Sequence, residues 1–266
     1  TRVMSRSLLF QAIAAIFCGS GSLSLAIADS AVVRPAFCAT QNSKDCQSAV
    51  TPQQVLEHFK QGNERFASGH GTARNYAQQV RETASGQYPL ASVVSCIDSR
   101  APAEIVLDQG IGDIFNARIA GNVVNDDILG SLEFASKLSG SKLVVVMGHT
   151  SCGAVKGACD NVVMGNLTGL LARIQPAVVA VPTGAGVDRS SKNHDFVAEV
   201  AEVNVRRNVQ LIRERSCPEW KKAAHFVKGS AGSTGVMRVH QLAQEAEKQS
   251  DGQREHKGGH DRIERD

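Results

Sequence analysis

Three short apolar runs divide the chain into segments of different periodicity. They cover residues 90–95, 114–119 and 143–147, and turn residues or helical patterns separate them. The third run, Leu-Val-Val-Val-Met, has no alternation of apolar and polar residues, which is typical of a strand covered on both faces in a parallel sheet. All three runs are predicted to be strands.

Helical patterns lie before, between and after these runs. Thr51, Pro52 and Gln54 predict a helix start, because Thr51 can cap the helix, proline suits its first position and Gln54 can bond back to the cap. Asn125 and two aspartates open a second helix that crosses from one strand to the next, and a third helix is predicted over residues 193–215. The order of elements indicates an α/β fold with a mainly parallel central sheet flanked by helices.

The two ends of the chain have different compositions from the middle. Residues 1–28 are predicted to be a tag remnant and a secretory signal, because a basic residue and a short apolar stretch precede Ala-Ile-Ala. Residues 29–50 lack periodicity and are expected to form an extended arm. The globular domain is expected over 51–216, and 217–266 is expected to be an atypical, partly disordered segment.

Composition limits the partners that the chain can have. With 42% hydrophobic and 21% charged residues and a net charge of +3, it is typical of a soluble globular protein with one core. Basic residues are interspersed with acidic ones, so no nucleic-acid partner is expected. No later apolar run is long enough to span a bilayer, so no membrane association is expected after signal removal, and the location is expected to be periplasmic or secreted.

Three soft-metal ligands lie at predicted strand ends. Cys96 closes the first strand, and His149 and Cys152 follow the third. The carboxyl ends of parallel strands meet at one edge of a sheet, so these side chains are expected to converge. Two thiolates and one imidazole suit Zn²⁺ and leave its fourth position for water, which is typical of catalytic sites.

The surrounding residues resemble a known family. Cys-Ile-Asp-Ser-Arg at 96–100, Ala-Arg-Ile-Ala-Gly-Asn at 117–122 and Gly-His-Thr-Ser-Cys-Gly at 148–153 together resemble the signature of β-class carbonic anhydrases, over about residues 51–216. The resemblance implies a β-carbonic anhydrase-like fold with an N-terminal helical arm. It also implies reversible hydration of CO₂ to bicarbonate and a proton by zinc-bound hydroxide.

The resemblance assigns roles by position. The zinc ligands would be Cys96, His149 and Cys152, and the family's aspartate–arginine dyad falls on Asp98 and Arg100. In a closed state of the site Asp98 would itself become the fourth ligand. The substrate-side residues that the resemblance implies are Gln87, Gly153, Phe115 and Ala120. A homodimer or a dimer of dimers, with the active sites at the subunit interface, is implied as well.

Other readings of the cysteines stay open from sequence. A structural zinc site normally has four Cys/His ligands in close pairs, whereas Cys96 stands alone. A thiol redox protein could pair Cys38 with Cys46 or Cys152 with Cys159, although no Cys-x-x-Cys is present. A zinc-containing anion-binding module without carbonic anhydrase activity is a third alternative.

The resemblance fails after Ser216. The family continues there with an apolar strand that completes the sheet, but this sequence has Cys-Pro-Glu-Trp and then a stretch with several glycines. Residues 225–227 could begin a strand, yet glycine weakens strand interiors. The structure of the segment after residue 216 therefore stays open from sequence, and this segment could expose an edge of the sheet.

Overall fold

The computed structural model of this 266-residue chain describes residues 42–215, 225–231 and 237–238. The predicted signal segment, the arm up to residue 41 and the C-terminal tail after residue 238 lie outside the described residues, so those predictions stay untested. Cys38 also lies outside them.

A mainly parallel sheet forms the centre of the domain. Its strands are β1 (Ala91–Ser95), β2 (Ile114–Arg118), β3 (Leu143–His149), β4 (His225–Ala231) and β5 (Met237–Arg238). They lie in the order β2-β1-β3-β4-β5, and only the pair β4–β5 is antiparallel. The predicted α/β fold with a mainly parallel sheet is confirmed.

Helices connect and cover the strands. In chain order they are α1 (Lys44–Ala49), α2 (Pro52–Ala67), α3 (Tyr76–Glu82), α4 (Ala103–Val106), α5 (Asp126–Glu133), α6 (Gly153–Cys159), α7 (Gly165–Ala172), α8 (Gln175–Ala180) and α9 (His194–Arg215). A 3-10 turn at Ala120–Asn122 follows β2, and a π-helical turn at Phe134–Leu138 extends α5. None of the described helices has the length and apolar content needed to cross a bilayer.

Side-chain caps fix the starts of two predicted helices. The Thr51 hydroxyl accepts from the Gln54 backbone N–H at 3.2 Å, and the Gln54 side chain accepts from the Thr51 backbone N–H at 2.9 Å, which confirms the capping box of α2. The Asn125 side chain accepts from the Ile128 N–H at 3.0 Å and caps α5.

The sheet is covered on both faces, as the unbroken apolar pattern of β3 predicts. Val93 and Val145 point into a cluster with α1, α2 and α4. Val94 and Val146 point the opposite way, into a cluster with α5 and α9. Every residue of β1 and β3 is therefore buried. The residues at and just after the carboxyl ends of these strands are the ones placed to form a site.

The end of the expected extended arm is helical. The Ser43 side chain caps α1 by accepting from the Cys46 N–H, and the Gln47 amide donates to the carbonyls of Pro89 and Ser139 at 2.8 and 2.7 Å. These bonds tie the helix to the amino-terminal end of the sheet, so tertiary contacts stabilise a helix that is too short to persist alone.

The sheet also continues past the expected domain end at residue 216. β4 pairs in parallel with β3 over seven residues, from Leu143 opposite His225 to His149 opposite Ala231. Residues 225–227, which the sequence left open as part of a strand, thus lie in β4. Gly229 does not prevent pairing, because the hydrogen bonds of the ladder come from the backbone and β3 supplies a preformed partner.

Candidate metal centre

Two adjacent parallel strands bring Cys96, His149 and Cys152 together. Ser95, the last residue of β1, lies opposite Met147 of β3, so Cys96 emerges beside the end of β3, where His149 is the last residue. Cys152 is the N-cap residue of the following helix, α6. The sequence prediction that these side chains converge is met, since their ligand atoms lie within 4.8 Å of one another and all three residues are buried.

The separation of the two sulfur atoms fits a shared metal ion. Two sulfurs that each lie about 2.3 Å from a tetrahedral Zn²⁺ are about 3.8 Å apart. The Sγ atoms of Cys96 and Cys152 are 3.9 Å apart. The cluster therefore has both the donor types and the sulfur spacing of a zinc site.

The His149 ring presents one nitrogen to the cluster. Its Nδ1 lies 2.9 Å from the Thr150 carbonyl oxygen and donates a hydrogen bond to it. This bond leaves Nε2 unprotonated in the neutral ring, and the buried Nε2 has no hydrogen-bond partner among the described residues. An oriented imidazole with a free lone pair is the usual form of a metal-ligating histidine.

The two thiols influence each other strongly. Hydrogen bonding with Cys152, and to a smaller extent the nearby His149 ring, lowers the pKa of Cys96 against the effect of burial. The hydrogen bond to Cys96, together with burial, raises the pKa of Cys152, and the nearby Cys96 side chain also raises the pKa of His149. The thiol pair therefore loses its first proton, that of Cys96, easily. It loses the second proton only when a cation compensates the second negative charge.

Asp98 and Arg100 form a pair at the edge of the cluster. Arg100 Nε and Nη2 donate to the two carboxylate oxygens of Asp98 at 2.9 and 2.8 Å, and the Arg100 backbone N–H donates to Oδ1 at 2.9 Å. The hydrogen bonds from Arg100 hold the pKa of Asp98 well below its ordinary value, so the carboxylate is ionised at neutral pH. Its Oδ2 lies 3.8 Å from His149 Nε2.

Two groups that received no role from the sequence support the cluster. Arg118 donates from Nε to the Cys96 carbonyl at 2.9 Å and from Nη2 to the Asp98 carbonyl at 2.5 Å, which fixes the loop that carries both residues. The Gly121 backbone N–H donates to Cys96 Sγ at 3.3 Å. Both lie in the segment 117–122, at the end of β2 and in the turn that follows it, so the position of this segment at a strand end was the available signal.

The predicted substrate-side residues separate into two groups. Gly153 follows Cys152 directly and an added Cβ there would meet open space, while Ala120 precedes Gly121, whose N–H bonds to Cys96. Phe115 lies opposite Ser92 on β1, packs edge-on against Phe134 and lines a cavity of about 790 Å³. It is thus about 13 Å along the strand from Cys96.

Gln87 lies farther away than any other predicted site residue. It is exposed in the loop before β1, whereas Cys96 follows the last residue of this strand. Five residues of strand span about 16 Å. Within one chain, the structure therefore does not bring Gln87 to the cluster.

The described cysteines restrict the thiol redox alternative. Cys96, Cys152 and Cys159 are free, so the pairing of Cys152 with Cys159 is wrong. Cys46 is disulfide-bonded, and because the other described cysteines are free, its partner lies outside the described residues. The proposed partner Cys38 is among the residues outside.

Sequence comparison matches most of the domain to proteins of known family. Residues 91–230 match the family model described as "Carbonic anhydrase". The chain is 40% identical over 171 residues to carbonic anhydrase 2 of Mycobacterium tuberculosis, which corresponds to 62% of this chain and 79% of that protein.

Solved structures show a similar fold. The Coccomyxa β-carbonic anhydrase in complex with acetazolamide aligns with a TM-score of 0.51 at 20% identity, covering 69% of this chain and 83% of that chain. A structure from the report on two tetrameric β-carbonic anhydrases of Sordaria macrospora aligns with a TM-score of 0.50 at 23% identity, covering 61% of this chain and 87% of that chain. At these identities the structures support the fold alone.

Proposed function

This chain belongs to the β-carbonic anhydrase family, and we propose that it catalyses the reversible hydration of CO₂ with a zinc ion held by Cys96, His149 and Cys152. Family membership supports the enzyme class, a lyase that acts on CO₂ and bicarbonate. The observation that carries the zinc proposal is the convergence of two thiols and one oriented imidazole within 4.8 Å, beside an ionised aspartate.

The metal would supply the nucleophile. Bound Zn²⁺ lowers the pKa of a coordinated water to about 7 in carbonic anhydrase. Cys96 and Cys152 would hold the ion as thiolates, and His149 would bind it through Nε2 while Nδ1 keeps its bond to the Thr150 carbonyl.

Asp98 would orient the attacking hydroxyl group. Its ionised carboxylate can only accept hydrogen bonds, so a hydroxyl that donates to it turns its lone pair toward CO₂. Arg100 holds this carboxylate at both oxygens. That engagement favours the open arrangement, in which Asp98 does not act as the fourth ligand.

The substrate-side roles remain part of the proposal. Gly153 and Ala120 adjoin the ligand cluster and would border the space for CO₂ and bicarbonate. Gln87 and Phe115 lie too far along β1 and β2 to serve the cluster of their own chain. We therefore assign both residues to the site of a second chain.

A homodimer or a dimer of dimers would bring these residues into place. Among the described strands β2 lies at the edge of the sheet, and Phe134, which packs against Phe115 of this strand, exposes a large apolar side chain. Leu138, in the same π-helical turn as Phe134, is exposed as well. The Sordaria macrospora structure comes from a report on tetrameric enzymes. Coverage of the exposed face next to β2 by a second copy agrees with both observations.

Export to the periplasm or the medium is proposed on two grounds. In residues 1–28 a basic residue, a short apolar stretch and Ala-Ile-Ala follow one another as in a secretory signal. In addition, Cys46 forms a disulfide, and disulfides are typical of proteins in oxidising compartments.

Metal analysis combined with a CO₂ hydration assay tests the proposed function. The purified protein is expected to contain one zinc ion per chain and to accelerate CO₂ hydration. A thiol redox protein would contain no stoichiometric zinc and would lose free thiols on oxidation. A zinc-containing anion-binding module would contain the metal without hydrating CO₂, so the two measurements separate all three alternatives.

A further inference from the structure

Two asparagines lie on the buried face of α9. Asn204 and Asn208 are 2% and 7% exposed and lie one turn apart in a stripe that is otherwise apolar. A buried amide destabilises a fold unless its polar atoms are hydrogen-bonded. Their partners therefore indicate their role.

Both asparagines bind the backbone of the segment that follows β2. The side-chain amide of Asn204 donates to the Gly121 carbonyl at 2.8 Å. The side-chain oxygen of Asn208 accepts from the Val124 N–H at 3.1 Å. The Asn208 amide also donates to the Asn204 backbone carbonyl at 2.9 Å and lies 3.3 Å from its side-chain oxygen. We call Asn204 and Asn208 the α9 clamp.

The residue that the clamp holds contacts the metal cluster. The carbonyl of Gly121 binds Asn204, and the N–H of Gly121 donates to Cys96 Sγ at 3.3 Å. Gly121 has φ +67°, and a Cβ at this position would lie 2.5 Å from Ile174 Cδ1. Only glycine suits this backbone position, and the clamp fixes how it is oriented.

We infer that Asn204 is a positioning residue for the zinc site: it holds the Gly121 N–H on the sulfur of Cys96. This inference rests on the proposed function, because it concerns the same three ligands. A backbone N–H that donates to a thiolate stabilises its negative charge and fixes the direction of its lone pairs. Loss of the clamp would let the Gly121 peptide turn away and leave the sulfur without this donor.

A second buried asparagine provides a matched control. The Asn63 amide donates to the Val106 carbonyl at 3.0 Å, and Asn63 is 4% exposed, but it lies on α2. Asn63→Ala and Asn204→Ala remove the same type of bond from equally buried positions. A purely structural role predicts that both variants lose stability and that neither changes the metal site.

The experiment measures zinc affinity by competition with a chromophoric chelator. It also measures the sulfur-to-cobalt charge-transfer absorption of the Co²⁺-loaded protein. Asn204→Ala is expected to weaken zinc binding about 10-fold, at the lower end for groups that support metal ligands. It should also shift the charge-transfer band. Asn63→Ala should keep the zinc affinity within twofold of that of the unaltered protein and should leave the charge-transfer band unchanged.

A milder variant decides the question if Asn204→Ala does not fold. Asn208→Ala keeps the Asn204 side chain and removes the amide that holds it, so zinc affinity should fall in the same direction by a smaller factor. Unchanged affinity and an unchanged band in the folded clamp variant would overturn the inference. If the unaltered protein binds no zinc, the proposed function itself fails, and this outcome is distinct from equal zinc binding by all variants.

Discussion

Both carboxylate oxygens of Asp98 accept hydrogen bonds from the guanidinium of Arg100, with Oδ1 2.9 Å from Nε and Oδ2 2.8 Å from Nη2. Oδ2 also lies 3.8 Å from His149 Nε2, at the border of the ligand cluster. The pair is thus close enough to act on a group bound at the cluster, while neither residue belongs to the three ligands. Metal binding and catalysis should therefore be separable by substitution at this position.

Asp98→Asn tests this separation. The amide keeps the size of the side chain but has only one acceptor oxygen and carries no charge, so it orients the attacking hydroxyl group poorly. We expect zinc content to stay at that of the unaltered protein and CO₂ hydration at neutral pH to fall about 10- to 100-fold. Atomic absorption and stopped-flow hydration give the two quantities. Activity within twofold of the unaltered protein would remove Asp98 from the proposed role.

The three ligands should behave differently from a nearby cysteine. Cys96→Ala, His149→Ala and Cys152→Ala each remove one of only three protein ligands, so we expect loss of stoichiometric zinc and of activity together. Cys159→Ala is the matched control, because Cys159 is a buried free cysteine of α6 outside the cluster. It should keep zinc and activity. Retention of one zinc per chain in any of the three ligand variants would contradict the assignment.

Local patterns in the sequence predicted the parts of the fold that local physics determines. These patterns depend on residues only a few positions apart. The capping box at Thr51 and the cap at Asn125 form as predicted, and the three apolar runs are strands. The ligand cluster was predictable as well, because strand ends meet at one edge of a parallel sheet. Its specific assignment came from the resemblance and not from spacing.

Long-range pairing could not be predicted in the same way. The bond between Asn204 and Gly121 joins residues that are 83 positions apart, and an asparagine within an apolar stripe shows only that a partner must exist. β4 stayed open from sequence because its glycines weaken the local strand signal, while β3 supplies the pairing that stabilises it. In both cases the missing information lies in the partner element.

Acid stability should depend on one buried carboxylate. Asp108, with a 4% exposed side chain, binds Arg65 at 2.6 Å, Thr72 at 2.8 Å and Arg74. Burial acts to raise the pKa of Asp108, but these hydrogen bonds lower it to about 2. A carboxyl whose pKa is lower in the folded state stabilises the fold above its unfolded pKa, and this stabilisation is lost as the pH falls through the folded value.

The expected loss therefore occurs between about pH 4 and pH 2 and amounts to about 2 kcal/mol. Asp108→Asn should lower the free energy of unfolding at pH 7 by a similar amount and flatten its pH dependence in this window, as measured by urea unfolding. Asp126→Asn is the control, because Asp126 pairs with Arg215 but its side chain is 82% exposed. If both substitutions lowered the free energy of unfolding equally, burial of the Asp108 ion pairs would not be the source of the acid sensitivity.

Export predicts a defined mature chain. If residues 1–28 are removed as a signal, intact mass of the protein recovered from cells should correspond to an N-terminus at about Asp29. Reduction should then raise the mass by two hydrogens for each disulfide, including that of Cys46. A recovered chain that still begins at Met4 would contradict export, and alkylation of Cys46 without prior reduction would contradict the disulfide.

Gln87 should act in the site of a partner chain. It lies before β1, about 16 Å of strand away from Cys96, so the two residues cannot meet within one chain. Gln87→Ala removes an amide donor to bicarbonate and should lower activity about 10-fold, since hydrogen bonds to charged groups contribute about 1.5–3 kcal/mol. This loss alone does not show which chain the residue serves.

Mixed dimers of Gln87→Ala and Asp98→Asn chains distinguish the two cases. In such a dimer the intact Gln87 of one chain would complete the intact Asp98 site of the other, so one of the two sites should recover and activity should approach half that of the unaltered dimer. Co-expression with two different tags and tandem purification isolates the mixed species, and light scattering at micromolar concentration gives its mass. If Gln87 served its own chain, or if the active species were a monomer, every site would carry one defect and the mixed sample would be no more active than the mean of its parents.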